Sequence, residues 1–332
     1  MKAVIPVAGI GSKLRPHTHT QPKSLIPVAG KTIVGHIIEK LVQAGIQDFV
    51  FIVGYLGDKI EAYVKRNYPE LRAEFVTQWP REGLGHALYI ARETFRHEDS
   101  IIIILGDAII DVDLQNILET PESVLAIKKV TQPSLFGVAE VDEAGFVSRL
   151  VEKPKIPKSN FALVGLYKLM QPEKLAQALE HIIQEEIKTQ NEYQLTDALM
   201  YLIEQGEKIK ASPVDHWYDC GRKDTVLHAN AVLLQRPEFQ QAEYTNFPNT
   251  IIIPPVSIGK GCSIANSIIG PNVSVGQDTI INQSILRDSI IGEYSELRNA
   301  VMHNSIIGND ASLKGLSNSL NIGDSTEINF GE

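Results

Sequence analysis

The feature that most constrains the fold is a six-residue repeat in the last third of the chain. Ser-Ile-Ile-Gly occurs at 267–270, 289–292 and 305–308, and a branched residue precedes glycine again at 258–259, 275–276 and 322–323. Small residues lie between these positions and helix formers are almost absent, which predicts short strands that each point one apolar side chain inward. A single coil cannot bury that surface, so the coils must stack. An ordinary β-sandwich would need longer alternating strands and fits the pattern less well.

This spacing resembles the hexapeptide repeats of a left-handed parallel β-helix. The composition changes abruptly near Arg236-Pro237. We therefore expect one domain over residues 1–236 and a left-handed β-helix over 237–332. A chain of 332 residues is long enough to build two such domains.

The first domain has the rhythm of an open α/β sheet. Short apolar runs, such as 49–53 and 101–105, alternate with segments whose apolar residues recur at helical spacing. This order predicts a Rossmann-like mixed sheet with mainly parallel strands. Sheets of this kind bind ligands beyond the carboxyl ends of their strands.

The first strand-like run breaks into a glycine loop. Gly9 and Gly11 leave backbone N–H groups free to surround an anion, and the cations Lys13, Arg15 and Lys23 follow. The stretch predicts a phosphate cradle. It is not a P-loop, because no Gly-Lys-Ser/Thr ends it, nor a dinucleotide fingerprint, because the third glycine is missing. The glycines alone would fit a plain strand-to-loop turn equally well.

The longer stretch narrows the choice. Ala-Gly-x-Gly-Ser-Lys-Leu-x-Pro at 8–16 and Pro-Lys-Ser-Leu at 22–25 closely resemble the opening signature of the sugar-1-phosphate nucleotidylyltransferases. That family joins a nucleoside triphosphate to a sugar 1-phosphate and releases pyrophosphate. The resemblance implies nucleotide contacts at Ala8, Gly9, Gly11 and Ser12, and catalytic roles for Lys13 and Lys23. The family usually has arginine in place of Lys13, and lysine lacks the bidentate fork of arginine.

Nucleotidyl transfer holds several negative charges close together, and a hard divalent ion, expected to be Mg²⁺, needs only one or two protein carboxylates to help do so. Asp107 in Leu-Gly-Asp and Asp219 in Trp-Tyr-Asp-Cys-Gly resemble the family's two metal-binding motifs. The resemblance makes them metal ligands and catalytic residues. A single aspartate after a strand would otherwise be read as a solvated turn residue.

Base recognition is expected in the segment 78–87, which resembles segments of both thymidylyltransferases and uridylyltransferases. The Gln78 amide carries a donor and an acceptor that match the imide edge of uracil or thymine, with Gly83 beside it. A pyrimidine is therefore predicted, and dTTP and UTP are not separated. The resemblance implies glucose 1-phosphate as the sugar. Thymidylyltransferases commonly have Asn after the metal aspartate, where this chain has Ala108, so a sugar contact is missing and the identity of the hexose is left open.

The sugar side is identified by resemblance alone. Four residues in family-like segments are predicted to hold the hexose and its phosphate: Gly137, Glu152, Lys153 and Gly165. Glu152 would accept hydrogen bonds from sugar hydroxyls, and Lys153 would pair with the phosphate.

Composition sets limits on partners. A net charge of −9 argues against nucleic acid and anionic membranes, and no apolar run is long enough to span a bilayer. Two isolated cysteines, Cys220 and Cys262, do not form a disulfide framework or a zinc site. We expect a cytoplasmic homo-oligomer that acts on small-molecule substrates.

Two other functions remain open. The chain could be a catalytically silent subunit that binds nucleotide sugars, or a bifunctional enzyme whose β-helix transfers an acetyl group. The first would be expected to lose the aspartates or the cradle lysines, and both are present. The second would need a histidine base, for which His303 is the only candidate in the repeats.

Overall fold

The computed structural model describes residues 1–239 and 247–315. The chain forms two compact units, Met1–Ala229 and Asn230–Glu332. The repeat at Ile322-Gly323 lies outside the described residues, and the domain boundary after Arg236 stays a prediction. No helix in the described part of the chain is long and apolar enough to cross a membrane.

The helices lie mainly in the first unit. In chain order the α-helices are α1 Ile33–Gln43, α2 Gly57–Asn67, α3 Leu84–Ala91, α4 Leu114–Glu119, α5 Pro172–Gln184, α6 Leu195–Glu204 and α7 Lys223–Leu234. Single 3₁₀ turns occur at Ser12–Leu14, His17–His19, Lys23–Leu25, Arg92–Thr94, Pro133–Leu135 and Pro237–Phe239.

The strands of the first unit build one large sheet and two small ones. They are β1 Lys2–Pro6, β2 Pro27–Val28, β3 Lys31–Thr32, β4 Asp48–Val53, β5 Arg72–Thr77, β6 Ile101–Ile104, β7 Ala108–Asp111, β8 Ser123–Lys129, β9 Gly137–Val141, β10 Val147–Glu152, β11 Phe161–Leu169, β12 Ile209–Pro213 and β13 His216–Asp219.

The large sheet is mixed, as predicted. Its order is β10-β9-β11-β6-β1-β4-β5, and β8 joins β11 to β12. The neighbours β6, β1, β4 and β5 are parallel, whereas β11 runs antiparallel to β6, β8 and β9. The four consecutive isoleucines of β6 are all buried because both faces of the sheet are covered. The parallel strands therefore end together at one edge.

The helix boundaries follow local signals where these are strong. The Thr32 hydroxyl accepts a hydrogen bond from Gly35 N at 3.0 Å and caps α1, and Gly45, at φ +87°, lies just after its end. The helical spacing of the sequence predicts a longer helix, from Glu173 to about Thr189, but α5 ends at Gln184 and Glu186 takes a left-handed φ of +51°. The residues that follow α5 run back toward α3 and contribute to the site described below.

The second unit contains stacked coils of short strands. They are β14 Ile251–Ile252, β15 Val256–Ile258, β16 Ser263–Ala265, β17 Ile268–Ile269, β18 Val273–Val275, β19 Ile280–Asn282, β20 Ile285–Arg287, β21 Ile290–Ile291, β22 Glu296–Arg298, β23 Val301–His303, β24 Ile306–Ile307 and β25 Ser312–Lys314.

These strands form three parallel four-stranded sheets, β14-β17-β20-β23, β15-β18-β21-β24 and β16-β19-β22-β25. Ile264, Ile281 and Leu297 are paired in register across β16, β19 and β22, and all three are buried. In these three strands one apolar side chain per strand is buried, as the six-residue repeat predicts. The three stacked parallel sheets confirm the predicted left-handed β-helix.

Candidate active site

Three parallel strands deliver the predicted nucleotide residues to one edge of the sheet. The glycine loop follows β1, Gln78 follows β5, and Asp107 lies just beyond β6. Because β1 pairs with β6 and is linked to β5 through β4, these three segments lie at the same edge. This is the edge where open α/β sheets bind ligands.

The glycine loop is fixed by a residue that the sequence analysis did not select. Gly11 has a left-handed φ of +69°, and the buried Thr18 hydroxyl donates to its carbonyl oxygen at 2.8 Å. A Cβ on Gly11 would lie 2.9 Å from Thr18 Cγ2 and 3.0 Å from Lys23 Cβ. Glycine is therefore required both by the backbone angle and by the space.

These segments line a cavity of about 590 Å³, within the usual range for ligand sites. The predicted nucleotide residues in its wall are Ala8, Gly9, Gly11, Ser12, Gln78 and Gly83, together with Lys23 and Asp107. Lys13 is exposed and does not line this cavity. Arg81 and Glu192, which were not among the predicted site residues, also line it.

The two predicted metal ligands are brought together by strand pairing. β13 runs antiparallel to β7 with Asp219 opposite Ala108, and Cys220 N donates to the Asp107 carbonyl at 3.0 Å. Lys23 Nζ donates to Asp107 Oδ2 at 2.9 Å. Burial raises the pKa of the Asp219 carboxyl, and the positive charge of Lys23 opposes that rise.

Lys13 acts on the same carboxyl at longer range. Its charge also lowers the pKa of Asp219, although more weakly than that of Lys23. Its charge therefore contributes to the electrostatic field at Asp219. Its position outside the cavity wall leaves its catalytic role a prediction.

A second cavity of about 240 Å³ holds the predicted sugar residues. Gly137, Glu152, Lys153 and Gly165 all line it, as does Asp219. Glu152 Oε2 accepts from Thr196 Oγ1 at 3.2 Å, and Glu152 Oε1 lies 3.4 Å from Lys153 Nζ. These contacts fix the carboxylate so that it faces the cavity as an acceptor.

The two cavities are adjacent. Leu84, Leu105 and Asp107 line both. Ala108 lines the second cavity, so its small side chain leaves room where a longer one would project. A ligand in either cavity would therefore lie beside the same aspartate.

The segment 78–87, called the base segment below, packs against the loop that follows α5. Gly85 N donates to Tyr193 O, and Tyr193 N donates to Glu82 O, both at 2.8 Å. A Cβ on Gly83 would lie 2.5 Å from Tyr193 O. Short-range sequence patterns do not report this contact, because it joins segments more than a hundred residues apart.

Together, the fold and the two adjacent cavities define an α/β protein with Asp107 in the wall of both cavities and Asp219 in the wall of the smaller one. The family model for nucleotidyl transferases matches residues 2–236. The chain belongs to the nucleotidyl transferase family.

Two relatives are consistent with this family. The chain is 38% identical over 237 residues to the bifunctional protein GlmU of Methanocaldococcus jannaschii, covering 71% of this chain and 55% of that protein. It is 32% identical over 314 residues to the glucose-1-phosphate thymidylyltransferase of Streptomyces griseus, covering 88% of this chain and 87% of that protein. The chain thus spans only about half the length of the first relative.

A solved structure supports the fold. The crystal structure of a UDP-glucose pyrophosphorylase complexed with UDP-glucose superposes with a TM-score of 0.61 at 26% identity. The match covers 71% of this chain and 99% of that one.

Proposed function

We propose that this chain transfers a nucleotidyl group from a pyrimidine nucleoside triphosphate to a hexose 1-phosphate and releases pyrophosphate. The observation that carries the proposal is the position of Asp107, which lines both cavities. The residues predicted for the nucleotide fall in one cavity and those predicted for the sugar in the other. Such an arrangement holds both reactants next to one carboxylate, which lowers the entropic cost of their encounter.

The general class of the substrates is proposed from the family, and their identity from the names of relatives. The family supports a nucleoside triphosphate and a sugar 1-phosphate, and the relatives' names favour UTP or dTTP with glucose 1-phosphate. Ala108 has a smaller side chain than the asparagine common in thymidylyltransferases, so the proposed sugar cavity is also compatible with a bulkier hexose. We further propose, from composition and family, a cytoplasmic homo-oligomer with its domain boundary after Arg236.

The cradle would bind the triphosphate through backbone N–H groups around Gly9 and Gly11. Lys23 lies in the same wall, and its ammonium would balance charge on the α-phosphate during transfer. In the free protein this ammonium is held by Asp107. Glu152, braced by Thr196, would orient the sugar hydroxyls, and Lys153 would hold the sugar phosphate.

The residues fit a magnesium ion. Asp107, just before β7, and Asp219, at the end of its partner strand β13, are two hard oxygen donors. The described residues contain no cluster of three His, Cys, Asp or Glu side chains that would form a closed protein site. Mg²⁺ typically takes one or two carboxylates and completes its shell with phosphate and water. When bound, it would neutralise charge on the phosphates.

The test is pyrophosphate release measured across a panel of nucleoside triphosphates and sugar 1-phosphates, with Mg²⁺ and with EDTA. We expect turnover only when both substrates and the metal are present, with a pyrimidine triphosphate preferred. Nucleotide binding without any turnover would instead favour a regulatory subunit.

A second activity in the β-helix is the remaining alternative. His303 lies exposed on β23, where its neighbour Ser305 donates to its backbone carbonyl. Acetyl transfer from acetyl-CoA that is lost in His303→Ala would show that the protein is bifunctional. We expect none.

A further inference from the structure

Contacts within the protein determine which polar atoms of the Gln78 side chain face the larger cavity. Gln78 Nε2 donates to Gly83 O at 2.9 Å and lies 3.5 Å from His86 Nδ1. Both contacts use the amide nitrogen. Among the described residues, none donates to the Gln78 carbonyl oxygen. Gln78 therefore offers the cavity an acceptor, and its donor is occupied within the protein.

His86 keeps Gln78 in this orientation. Burial lowers the pKa of the His86 ring, so the ring is neutral near pH 7 and can accept at Nδ1. Turning the Gln78 amide over would place its oxygen against two acceptors, the Gly83 carbonyl and this nitrogen. The amide is thus held one way round before any nucleotide binds.

A base with two carbonyls then needs a donor from another residue. Arg81 lies three residues after Gln78 in the same loop and lines the same cavity. In the described part of the chain it makes no hydrogen bond or ion pair, and its side chain is exposed. The cradle cation Lys23 is already engaged by Asp107. Arg81 is accordingly the available side-chain donor contributed by the base segment.

We propose that Arg81 is a specificity-determining residue that donates to a ring carbonyl of uracil or thymine while the Gln78 carbonyl accepts from N3–H. This inference rests on the proposed function. Uracil and thymine present a carbonyl, an N–H and a carbonyl in sequence along this edge. The carbonyl assigned to Arg81 is the one at C4, because cytosine keeps the C2 carbonyl and differs at C4 and N3. Cytosine has an amine at C4 and an unprotonated N3, so its N3 would face the Gln78 oxygen and its amine would face the Arg81 cation.

The experiment compares Arg81→Met, which keeps the length but removes the donors, with wild type. Values of kcat/KM are measured for UTP, dTTP and CTP with a fixed sugar 1-phosphate. Losing a hydrogen bond to a charged donor should lower the values for UTP and dTTP about 10- to 100-fold and leave that for CTP nearly unchanged. Arg149→Met, an exposed arginine on β10 outside both cavities, is the matched control.

Two other outcomes would overturn the inference. An equal fall for all three nucleotides would place Arg81 on the triphosphate, and no change would place it outside the site. Calorimetric binding of UTP and CTP to both proteins gives the same ratio without turnover. If wild type releases no pyrophosphate but binds UTP selectively through Arg81, the proposed reaction fails and the base inference stands.

Discussion

Replacing Gly83 by alanine tests the close contact between the base segment and the backbone of Tyr193. Gly83 has φ +106° and ψ 176°, a region that is open almost only to glycine and costs other residues about 1–3 kcal/mol. The new Cβ would also lie 2.5 Å from Tyr193 O and 2.9 Å from Glu192 Cβ. A backbone oxygen cannot move away by changing rotamer, so the loop itself must shift.

The expected cost follows from the contacts that the shift would break. The two backbone hydrogen bonds that join the loops, Gly85 N to Tyr193 O and Tyr193 N to Glu82 O, are each worth about 1 kcal/mol. With the cost of the backbone conformation, we therefore expect Gly83→Ala to destabilise this region by about 3–5 kcal/mol. The KM for the nucleotide should rise because Gln78 loses the carbonyl that orients it.

Hydrogen exchange is the appropriate assay, because it reports on the Gly85 and Tyr193 amides without requiring that the two units unfold together. Gly145→Ala is the matched control. Its φ is +84°, yet a Cβ there meets no atom within 4 Å, so it isolates the backbone term. Unchanged protection at both amides in Gly83→Ala, with an unchanged nucleotide KM, would refute the close approach.

Three further predictions concern the rest of the first unit. Asp107→Asn and Asp219→Asn should each leave the protein folded but lower pyrophosphate release about 10²- to 10³-fold or more, because each removes charge beside the transferring group; unchanged release in both would exclude them as metal ligands. Thr18→Val should raise the nucleotide KM about fivefold by removing the hydrogen bond that fixes the cradle, with kcat little changed. Hydrogen bonding to Arg96 lowers the pKa of Glu173 to about 2, so the pair stabilises the fold above about pH 4.5 and loses that contribution as the pH falls toward 2. NMR titration of this carboxyl checks the value, and Glu173→Gln should flatten the pH dependence of unfolding in that interval.

The sequence predicted those parts of the fold whose signals are local or periodic. The isoleucine run of β6, the glycines after β1 and the six-residue repeat each report a strand, a turn or a coil within a few residues. Asp107 and Glu152 were selected by family resemblance, and the structure has both in the walls of cavities. The assigned chemical roles of these residues stay predictions.

Other features depend on contacts between distant segments. Thr18 carries no motif, and only its hydrogen bond to Gly11 reveals that it shapes the cradle. The early end of α5 is not visible in the periodic pattern either. Its last turn closes through Ile187 N to Ile182 O at 2.9 Å, and the chain then turns to place Tyr193 under Gly83. A non-glycine residue, Glu186, takes the left-handed conformation that ends the helix, and the sequence carries no glycine there to signal it.

The pairing of β7 with β13 explains how two aspartates that are far apart in sequence come to share one site. Side chains alternate faces along a strand, so a slip of one residue would turn Asp219 away from Asp107. Strands of four residues hold their register weakly by themselves. Here the register is supported at several points: Lys40 Nζ donates to the β7 carbonyl of Ile110 at 3.0 Å, and the Trp217 ring packs edge-on against Phe136 at 4.9 Å. Because Phe136 and Trp217 also line the smaller cavity, the contact that supports the register is part of the wall of the cavity for which we propose the sugar 1-phosphate.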